Sequence, residues 1–452
     1  SLVGSEMCIR DRLEIHRTEV IRLEKIPPGS RFRGYDDYTV QDLVIEPFNT
    51  LYRLERWRTP QGGYLTGKLP PGVGDHFGLK LQSFVLYQYY HAHVTQPLIL
   101  EMLREIGVDI SAGKVNQIIT EGKELFEKEK EQILSVGLEV SRHIHVDDTG
   151  ARHKGRNGHC THIGNQTFAW FQSTDSKSRI NFLELLRAGN SDYTINDEAL
   201  DYMEVQKLPK ATLNKLKTRL GHGFENERAW KKNLDTLKIK SDWHARIATE
   251  GALVGSILKH GFNRDLAIVS DDAGQFNVFL HALCWIHAER SVNKLVGFND
   301  DQRKALDKKR GEIWRFYDDL KEFKQAPGKI KKEKLKTRFD EIFTEKTCFV
   351  TLNNALKRIH NNKPELLLVL ARPDLPLHNN ESERDIREYV KRRKISGSTR
   401  SDLGRRCRDI FTSLKKTCRK LDISFWQYLK DRLSGESAIP SLPDLIRLHA
   451  QK

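Results

Sequence analysis

Two pairs of adjacent aspartates follow apolar segments, and they are the first candidates for chemistry in this sequence. The stretch HIHVDDTGARHKGRNG, residues 143–158, alternates polar and apolar side chains before it reaches Asp147 and Asp148. The stretch LAIVSDD is apolar up to the serine before Asp271 and Asp272. Sites in open α/β sheets form at the carboxyl ends of strands, so one carboxylate from each pair can reach a common site.

A third carboxylate is predicted on a helix within the stretch HNNESERDIREYVKRRK. Asn379 or Asn380 can cap this helix, which carries Glu381 and Glu383. Glu383 falls on the same helix face as Ile386, because residues three apart are neighbours on a helix. A carboxylate beside apolar positions is expected to point inward, toward the sheet.

Three carboxylates with few other ligands suit hard divalent cations such as Mg²⁺ or Mn²⁺, which prefer oxygen ligands. Two such ions can activate a nucleophilic oxygen and stabilise the leaving oxygen of a phosphodiester. The alternative for each aspartate pair is a solvated strand end that binds nothing. We favour the metal site because the acidic positions fall together at strand ends and on an inward-facing helix.

The elements around these carboxylates predict an α/β fold with a sheet flanked by helices. Residues 143–186 are predicted as three strands and a helix, the later elements being CTHIGN, FAWFQST and RINFLELL. LAIV, residues 266–269, is apolar on both faces, as in a buried central strand. A long helix containing LCWIHAERSVNKL is predicted next. Residues 189–260 and 300–370 are predicted to be mainly helical and polar.

The N-terminal part is predicted to begin with strands and continue with helices. Residues 30–70 contain YTVQDLVI, which alternates, and NTLYRLERW, which is followed by the turn signal TPQGG. From His76 the period is helical. A helix from about Thr95 to Gly107 and a second one capped by Ser111 form a helix-turn-helix candidate or an ordinary helical hairpin. The first helix has its predicted apolar positions at Leu98, Leu100, Leu103 and Ile106.

The charge of the chain favours a polyanionic partner. It has 76 Lys and Arg against 61 Asp and Glu, a net charge of +15. Residues 384–420 hold fourteen basic and four acidic side chains, so they carry +10 of this excess. Nucleic acid is the default partner for such a distribution. The candidate phosphate-contacting residues are Arg152, His153, Lys154, Arg156, Arg384, Arg387, Lys391, Arg392, Arg393, Lys394, Arg400, Arg405 and Arg406.

Hydropathy and cysteine content indicate the compartment. No run of eighteen apolar residues is present, so a membrane span is not expected. The six cysteines are scattered and form no Cys-x-x-Cys pair, which favours a reducing cytoplasm over a disulfide framework. The first twelve residues, SLVGSEMCIRDR, are similar to translated sequencing-adapter read-through, so we expect the natural start to be missing.

The predicted organisation follows from these segments. A strand-rich region at 13–75 follows the adapter-like residues 1–12, and a helical region at 76–140 contains the helix-turn-helix candidate at 95–120. A catalytic core is predicted at 141–296, with a helical insertion at 189–260. The remaining predicted segments are a helical insertion at 297–376, a C-terminal catalytic helix with a basic helical segment at 377–435, and a tail at 436–452.

Five long motifs occur in an order that resembles transposases of the bacterial insertion sequence sixty-six family. They are VDDTGARHKGRNG, FAWFQSTDSKSRINFLELL, SDDAGQF, LCWIHAER and HNNESERDIREYVKRRKISGSTRSDLGRR. The resemblance extends from about Gly34 to Leu433. It implies a ribonuclease-H-like core, an Asp, Asp, Glu triad, two Mg²⁺ or Mn²⁺ ions, and transposition of DNA by end cleavage and strand transfer.

The resemblance also implies which carboxylates are catalytic and bind metal. The family's first motif is an Asp, an acidic residue and a Thr, which places the ligand at Asp147. Its second motif has the Asp directly after a Ser, which is Asp271. Its third is Asn-Asn-x-x-Glu-Arg, which selects Glu383 and leaves Glu381 at a free position. The expected partners are transposon-end and target DNA, accessory proteins of the element, and further copies of the chain in a dimer or higher oligomer on DNA.

The Cys-x-x-His of Cys284 and His287 resembles an element of related transposases. The two residues are three apart on one predicted helix face, and without a second pair they make a poor zinc site. A structural or DNA-proximal role and plain core packing both remain open. Family members commonly carry a cysteine-rich, zinc-binding segment upstream of the strand-rich region, and this sequence has no such cysteines.

Two other functions fit parts of the sequence. A structure-selective nuclease, such as a junction resolvase, would carry a similar triad on the same fold. A transposon-derived DNA-binding protein without catalysis would not need all three acidic positions. The large helical insertions and the helix-turn-helix candidate favour the transposase, located in the cytoplasm and on the nucleoid when bound to DNA.

Overall fold

The computed structural model describes residues 13–70 and 73–451, so the predicted adapter-like segment 1–12 lies outside the described residues. It has the predicted mixed α/β architecture. In the described ranges the strands are β1 (Arg56–Arg58), β2 (Tyr64–Thr66), β3 (His143–Gly150), β4 (His159–Gly164), β5 (Ala169–Thr174), β6 (Tyr193–Thr194), β7 (Gly223–Phe224), β8 (Ala267–Ser270) and β9 (Leu280–Leu283).

Helices make up most of the remaining regular structure. They are α1 (Leu79–Tyr90), α2 (Gln96–Glu105), α3 (Ala112–Thr120), α4 (Glu124–Val140), α5 (Arg179–Leu186), α6 (Asp197–Val205), α7 (Lys210–Lys217), α8 (Glu227–Thr236), α9 (Asp242–Lys259), α10 (Trp285–Asn293), α11 (Asp300–Gln325), α12 (Lys329–Thr344), α13 (Val350–Asn361), α14 (Lys363–Leu366), α15 (Asn380–Ser396), α16 (Asp402–Lys420), α17 (Phe425–Ser434) and α18 (Leu442–Ala450). Among the helices described, none has both the length and the apolar composition to cross a membrane.

The strand-rich N-terminal region is mostly a wrong prediction. Residues 13–55 contain no strand or helix, and the alternating segment YTVQDLVI leaves apolar side chains such as Tyr38 and Val44 exposed. Only the short hairpin of β1 and β2 forms, around the predicted TPQGG turn. Alternation does not by itself make a strand, because an extended segment needs neighbouring strands to pair its backbone groups.

The two helices of the helix-turn-helix candidate are present as α2 and α3. Ser111 caps α3 as predicted, since its Oγ accepts a hydrogen bond of 3.1 Å from the backbone N–H of Lys114. The predicted apolar face of α2 holds in part: Leu103 is fully buried and Leu100 and Ile106 pack against the core, whereas Leu98 is 54% exposed and Ile99 is buried instead. Residues four apart lie on one helix face, which accounts for the burial of Ile99 with Leu103. Recognition of DNA by these helices stays a prediction.

The central sheet has the strand order β5-β4-β3-β8-β9. Strand β4 is antiparallel to both β5 and β3, while β8 is parallel to both β3 and β9. Strand β9 was not predicted, and the long helix expected there begins only at Trp285. Pairing with β8 explains the difference, because the parallel ladder gives Leu280–Leu283 backbone partners that a helix would not use.

Two main hydrophobic cores organise the chain. The larger one joins one side of the sheet to the N-terminal helices, the insertion helices α6–α9 and the C-terminal helices α16–α18. The second core belongs to the predicted 297–376 insertion and to α10. Its centre is the buried ring of Trp285, which packs against Phe316 and Phe339.

Helix α16 covers the free edge of β5. Its side chains accept hydrogen bonds from backbone N–H groups that an edge strand would otherwise expose. This protects the edge from pairing with the strand of another chain. The three hydrogen bonds join Ser173 N to Asp409 Oδ2 at 2.7 Å, Phe171 N to Ser413 Oγ at 2.9 Å and Ala169 N to Thr417 Oγ1 at 3.1 Å. The basic C-terminal segment is therefore an integral part of the sheet's packing.

Candidate active site

Asp147 and Asp148 lie on opposite faces of β3, as consecutive residues of a strand do. Asp147 is paired across the antiparallel ladder with His162 of β4. Asp148 accepts hydrogen bonds from Thr161 Oγ1 at 2.6 Å and from Gln275 Nε2 at 2.9 Å. The carboxylate of Asp148 is thus hydrogen-bonded to neighbouring side chains on its own face of the sheet.

Asp271 follows β8, the parallel neighbour of β3. The register pairs His145 with Val269, so its continuation by two residues places Asp147 beside Asp271. Asp271 is half-buried, whereas Asp272 is exposed. Asp271 therefore directly follows β8, as predicted, whereas Asp147 lies within β3, two residues past the last pair of the parallel ladder and not at the end of the strand.

Glu383 lies in the first turn of α15, the helix that packs against β3 and β4. Its Oε1 lies 3.5 Å from His287 Nε2 and 3.6 Å from Arg290 Nη1, both on α10. Its Oε2 lies 3.9 Å from Arg387 Nη2. Basic side chains therefore surround the third predicted carboxylate.

The three carboxylates are electrostatically linked at Asp147. Burial raises the pKa of the Asp147 carboxyl to about 7, against the lowering effect of the hydrogen bond of 2.7 Å from the Asp148 N–H. The negative charges of Asp271, Asp148 and Glu383 raise this pKa further. Repulsion of this kind is what a bound cation relieves, because it favours the ionised form of each carboxyl group.

The donor set fits Mg²⁺ or Mn²⁺ by chemistry, since all three candidates offer carboxylate oxygens. The arrangement is not a closed ligand set: across residues 13–70 and 73–451, no three His, Cys, Asp or Glu side chains are grouped so as to hold a metal ion. Glu383 is engaged by Arg290 and His287 instead. Metal binding would require Glu383 to exchange these contacts for the cation.

A buried polar network, which sequence reasoning missed, joins α15 to the strands beneath it. His145 Nδ1 lies 2.8 Å from Asn379 Oδ1, and His162 Nδ1 lies 2.7 Å from Ser382 Oγ. His162 Nε2 lies 3.2 Å from Asp385 Oδ2. Histidines at inward-facing positions of apolar strands were the available signal, because buried polar side chains need partners.

Lysines of α16 complete this network. Lys416 and Lys420 bind Asp385 at 3.0 and 2.9 Å. Burial alone would raise the pKa of Asp385, but the hydrogen bond and charge of His162, with Lys420 and Lys416, hold it well below its usual range. Glu381 binds Lys420 at 3.0 Å and so belongs to this network.

Cys284 and His287 have different surroundings. Cys284 is buried immediately before α10, and its Sγ accepts a hydrogen bond of 3.2 Å from the backbone N–H of Asn379. His287 lies beside Glu383, and burial, together with the charge of Arg290, lowers its pKa. The contacts of Cys284 match the structural alternative for this pair, while His287 borders the carboxylates.

The candidate phosphate-contacting residues fall into two groups. Arg392 is only 5% exposed; its guanidinium donates to Tyr89 O at 2.8 Å and lies 3.9 Å from the centre of that ring. This burial contradicts its predicted contact with phosphate, because a helix of basic residues still has an inward face. The exposed candidates are Arg152, Lys154, Arg156, Arg384, Arg387, Lys391, Lys394, Arg400 and Arg406.

Several other candidates bind within the protein. Arg393 bonds to Thr149 Oγ1 at 3.3 Å, and Arg405 pairs with Asp175 at 2.7 Å. Arg406, although exposed, pairs with Glu127, and Lys154 pairs with Asp402 at 2.6 Å. His153 is buried, with Nδ1 2.8 Å from Thr399 Oγ1. Of the other exposed candidates, Arg384, Lys391 and Lys394 on α15 make no side-chain ion pair within the described residues.

The five-stranded mixed sheet, with one aspartate within β3, another directly after its parallel neighbour β8, and a glutamate on the covering helix, is consistent with a ribonuclease-H-like core. The chain matches the Transposase IS66 family over residues 75–187 and 259–406 and belongs to that family. It is also 42% identical over 312 residues to y4jO, an uncharacterized protein of Sinorhizobium fredii (strain NBRC 101917 / NGR234), covering 68% of this chain and 97% of that protein.

Proposed function

We propose that this protein is a DNA transposase that cleaves transposon ends and transfers them into target DNA. Asp147, Asp271 and Glu383 are the residues that would hold two Mg²⁺ or Mn²⁺ ions. The observation that carries this proposal is the register of β3 and β8, which places Asp147 beside Asp271 under the helix that carries Glu383. Membership of the transposase family supports the assignment of these carboxylates to phosphodiester chemistry.

The reaction has two balanced steps. In cleavage, a water oxygen forms a bond to phosphorus and the DNA 3′ oxygen leaves, taking a proton to become a hydroxyl. In strand transfer, that 3′ oxygen bonds to a target phosphorus, loses its proton, and the target 3′ oxygen leaves. Two divalent cations, when bound, supply activation of the attacking oxygen and stabilisation of the leaving oxygen.

The protein's own residues would position the DNA for these steps. Arg384, Arg387 and Lys391 are exposed on the helix that carries Glu383. Their charges can hold the phosphates next to the scissile bond, which orients the reactants without reading sequence. We also propose assembly of two or more copies on DNA, because both transposon ends must be processed together, and action with accessory proteins of the element.

A charge-removing pair of substitutions tests the proposal. Asp147→Asn keeps the size of the side chain but removes the charge that would hold a cation. Mg²⁺-dependent cleavage of DNA carrying the element's ends should fall by several orders of magnitude, while metal-free DNA binding stays near wild type. Asp148→Asn is the matched control and should cost much less, since Asp148 bonds to Thr161 and Gln275 on the other face.

Equal losses at the two positions, or full activity of Asp147→Asn, would show that the catalytic aspartate has been misassigned. A four-way junction should be included as a second substrate. Preference for the junction over linear DNA with transposon ends would favour the structure-selective nuclease over the transposase.

A further inference from the structure

Asn379 lies at the N-cap position of α15 but does not cap that helix. Asparagine is favoured at this position because its side-chain oxygen accepts from a first-turn N–H. The side chain of Asn379 makes no such bond. It is only 1% exposed, and its amide is directed into β3 instead. The expected helix-capping role is thus replaced by a contact with the sheet.

The hydrogen bonds of Asn379 determine how its amide is oriented. Asn379 Nδ2 donates to the backbone carbonyl of Val146 at 2.9 Å, and a carbonyl can only accept. Oδ1 must then face His145 Nδ1, 2.8 Å away, so Nδ1 of His145 carries the hydrogen. The amide group is therefore held by one donor and one acceptor on the same strand.

The same residue is connected to all three candidate carboxylates. Val146 directly precedes Asp147. The backbone carbonyl of Asn379 accepts from the N–H of Glu383 at 3.3 Å. The third connection passes through Cys284, whose Sγ accepts from the Asn379 N–H at 3.2 Å.

Cys284 carries the connection to the second aspartate. Its backbone N–H donates to the carbonyl of Ser270 at 3.0 Å, and Ser270 directly precedes Asp271. One buried residue is thereby tied within one position of each carboxylate, on two strands and one helix. The side chain of Asn379 supplies the bonds to His145 and Val146, so its replacement would loosen the start of α15 from β3, while the backbone contacts with Glu383 and Cys284 remain.

We propose that Asn379 is the positioning residue of the carboxylate site, because it sets the placement of Glu383 relative to Asp147 and Asp271. The inference rests on the proposed function, since it assigns these carboxylates to metal binding. Asn379 does not touch the reacting atoms in this role. Residues that hold metal ligands in place typically change metal affinity by about 10–100-fold when they are replaced.

The test measures Mn²⁺ binding to the full chain by calorimetry, without DNA, beside thermal unfolding and Mg²⁺-dependent cleavage. Asn379→Ala should raise the half-saturating Mn²⁺ concentration by about 10–100-fold. Asn379→Asp, which has nearly the same shape, should also raise it, because a carboxylate cannot donate to the Val146 carbonyl. This second variant decides the question if the alanine variant fails to fold.

Asn165→Ala is the matched control. Asn165 is also a buried asparagine next to β4, with its Nδ2 2.7 Å from Ser141 Oγ and its Oδ1 accepting from the Thr167 N–H at 2.8 Å. Its replacement should lower the unfolding temperature without changing the half-saturating Mn²⁺ concentration. Both Asn379 variants should need more Mn²⁺ even where their unfolding temperatures match that of the control.

The outcomes separate the two proposals. Unchanged Mn²⁺ binding in a folded Asn379 variant, or an equal change in Asn165→Ala, would overturn the positioning role. Wild-type protein that binds Mn²⁺ but cuts no DNA would overturn the transposase proposal. The positioning role of Asn379 would then still be decided by the Mn²⁺ binding of its variants. Wild-type protein that binds no Mn²⁺ would overturn both.

Discussion

The negative charge of Asp271, which follows β8, raises the pKa of Asp147, which lies within the neighbouring parallel strand β3. Burial is the larger cause, so Asp147 is an acidic group held where its charge is costly. A fold does not gain stability from this arrangement. A site that binds cations does benefit, because the same carboxylates then meet a positive charge.

Removal of this buried acid should stabilise the metal-free protein. The pKa of Asp147 is raised from 3.8 to about 7, so between these pH values the native state keeps a proton that the unfolded state has lost. Stability therefore falls as pH rises through this window. Asp147→Asn should raise the free energy of unfolding by at most about 4 kcal/mol at pH 8, at about 1.4 kcal/mol per pKa unit, and by less at pH 5.

Urea unfolding in the presence of a chelator measures this difference. The exposed Asp272→Asn is the control: it keeps Asp147, so its stability should fall as pH rises in the same way as that of the wild type. Added Mg²⁺ should stabilise the wild type above pH 7 and leave Asp147→Asn unaffected, since the cation favours the ionised carboxyl. If Asp147→Asn were less stable than the wild type at pH 8 without metal, the burial of the Asp147 charge would not be destabilising.

Exposed and buried basic residues of α15 should behave differently in DNA binding. Lys391→Ala should weaken binding to any duplex and reduce the slope of log affinity against log salt by about one, as for one lost phosphate contact. Arg392→Ala should leave the slope unchanged. It should instead lower the free energy of unfolding, because its buried guanidinium lies over Tyr89.

Fluorescence anisotropy with one labelled duplex at several salt concentrations gives both slopes, and urea unfolding gives the stabilities. Magnesium is left out so that phosphate contacts are measured without catalysis. An unchanged slope for Lys391→Ala would mean that Lys391 does not contact DNA phosphate and that this face of α15 is exposed to solvent in the complex. A reduced slope for a fully folded Arg392→Ala would show that its guanidinium reaches DNA after all.

The contact of α16 with the β5 edge should matter for stability. Asp409→Ala leaves the buried N–H of Ser173 without its acceptor, which costs about 1–3 kcal/mol in the free energy of unfolding. Thr412→Ala on the same helix is the control, because Thr412 Oγ1 donates to the carbonyl of Arg408 in its own helix. Hydrogen exchange at the Ser173 amide should accelerate in Asp409→Ala alone, and slow exchange there would exclude this bond as a determinant.

The local sequence was sufficient for the elements that carry the candidate site. Asp271 directly after an apolar strand, and Glu383 beside an apolar helix position, are short-range patterns that survive in the structure, whereas β3 continues past Asp147 and Asp148 to Gly150. The Ser111 cap is local in the same sense, since its partner Lys114 is three residues away. Such features are decided by neighbours in the chain, which periodicity and residue type reveal.

Contacts between distant segments decided the rest. His145 and Asn379 are 234 residues apart, so no local pattern could show that an N-cap asparagine would bind a strand instead of its helix. Arg392 belongs to a strongly basic segment, yet its position on α15 places it against Tyr89. The alternating residues near Tyr38 do not pair with any strand in the described part of the chain, whereas Leu280–Leu283 pair with β8. Residue type determines which bonds a side chain is able to make, but only the folded arrangement brings a particular donor, acceptor or strand within reach.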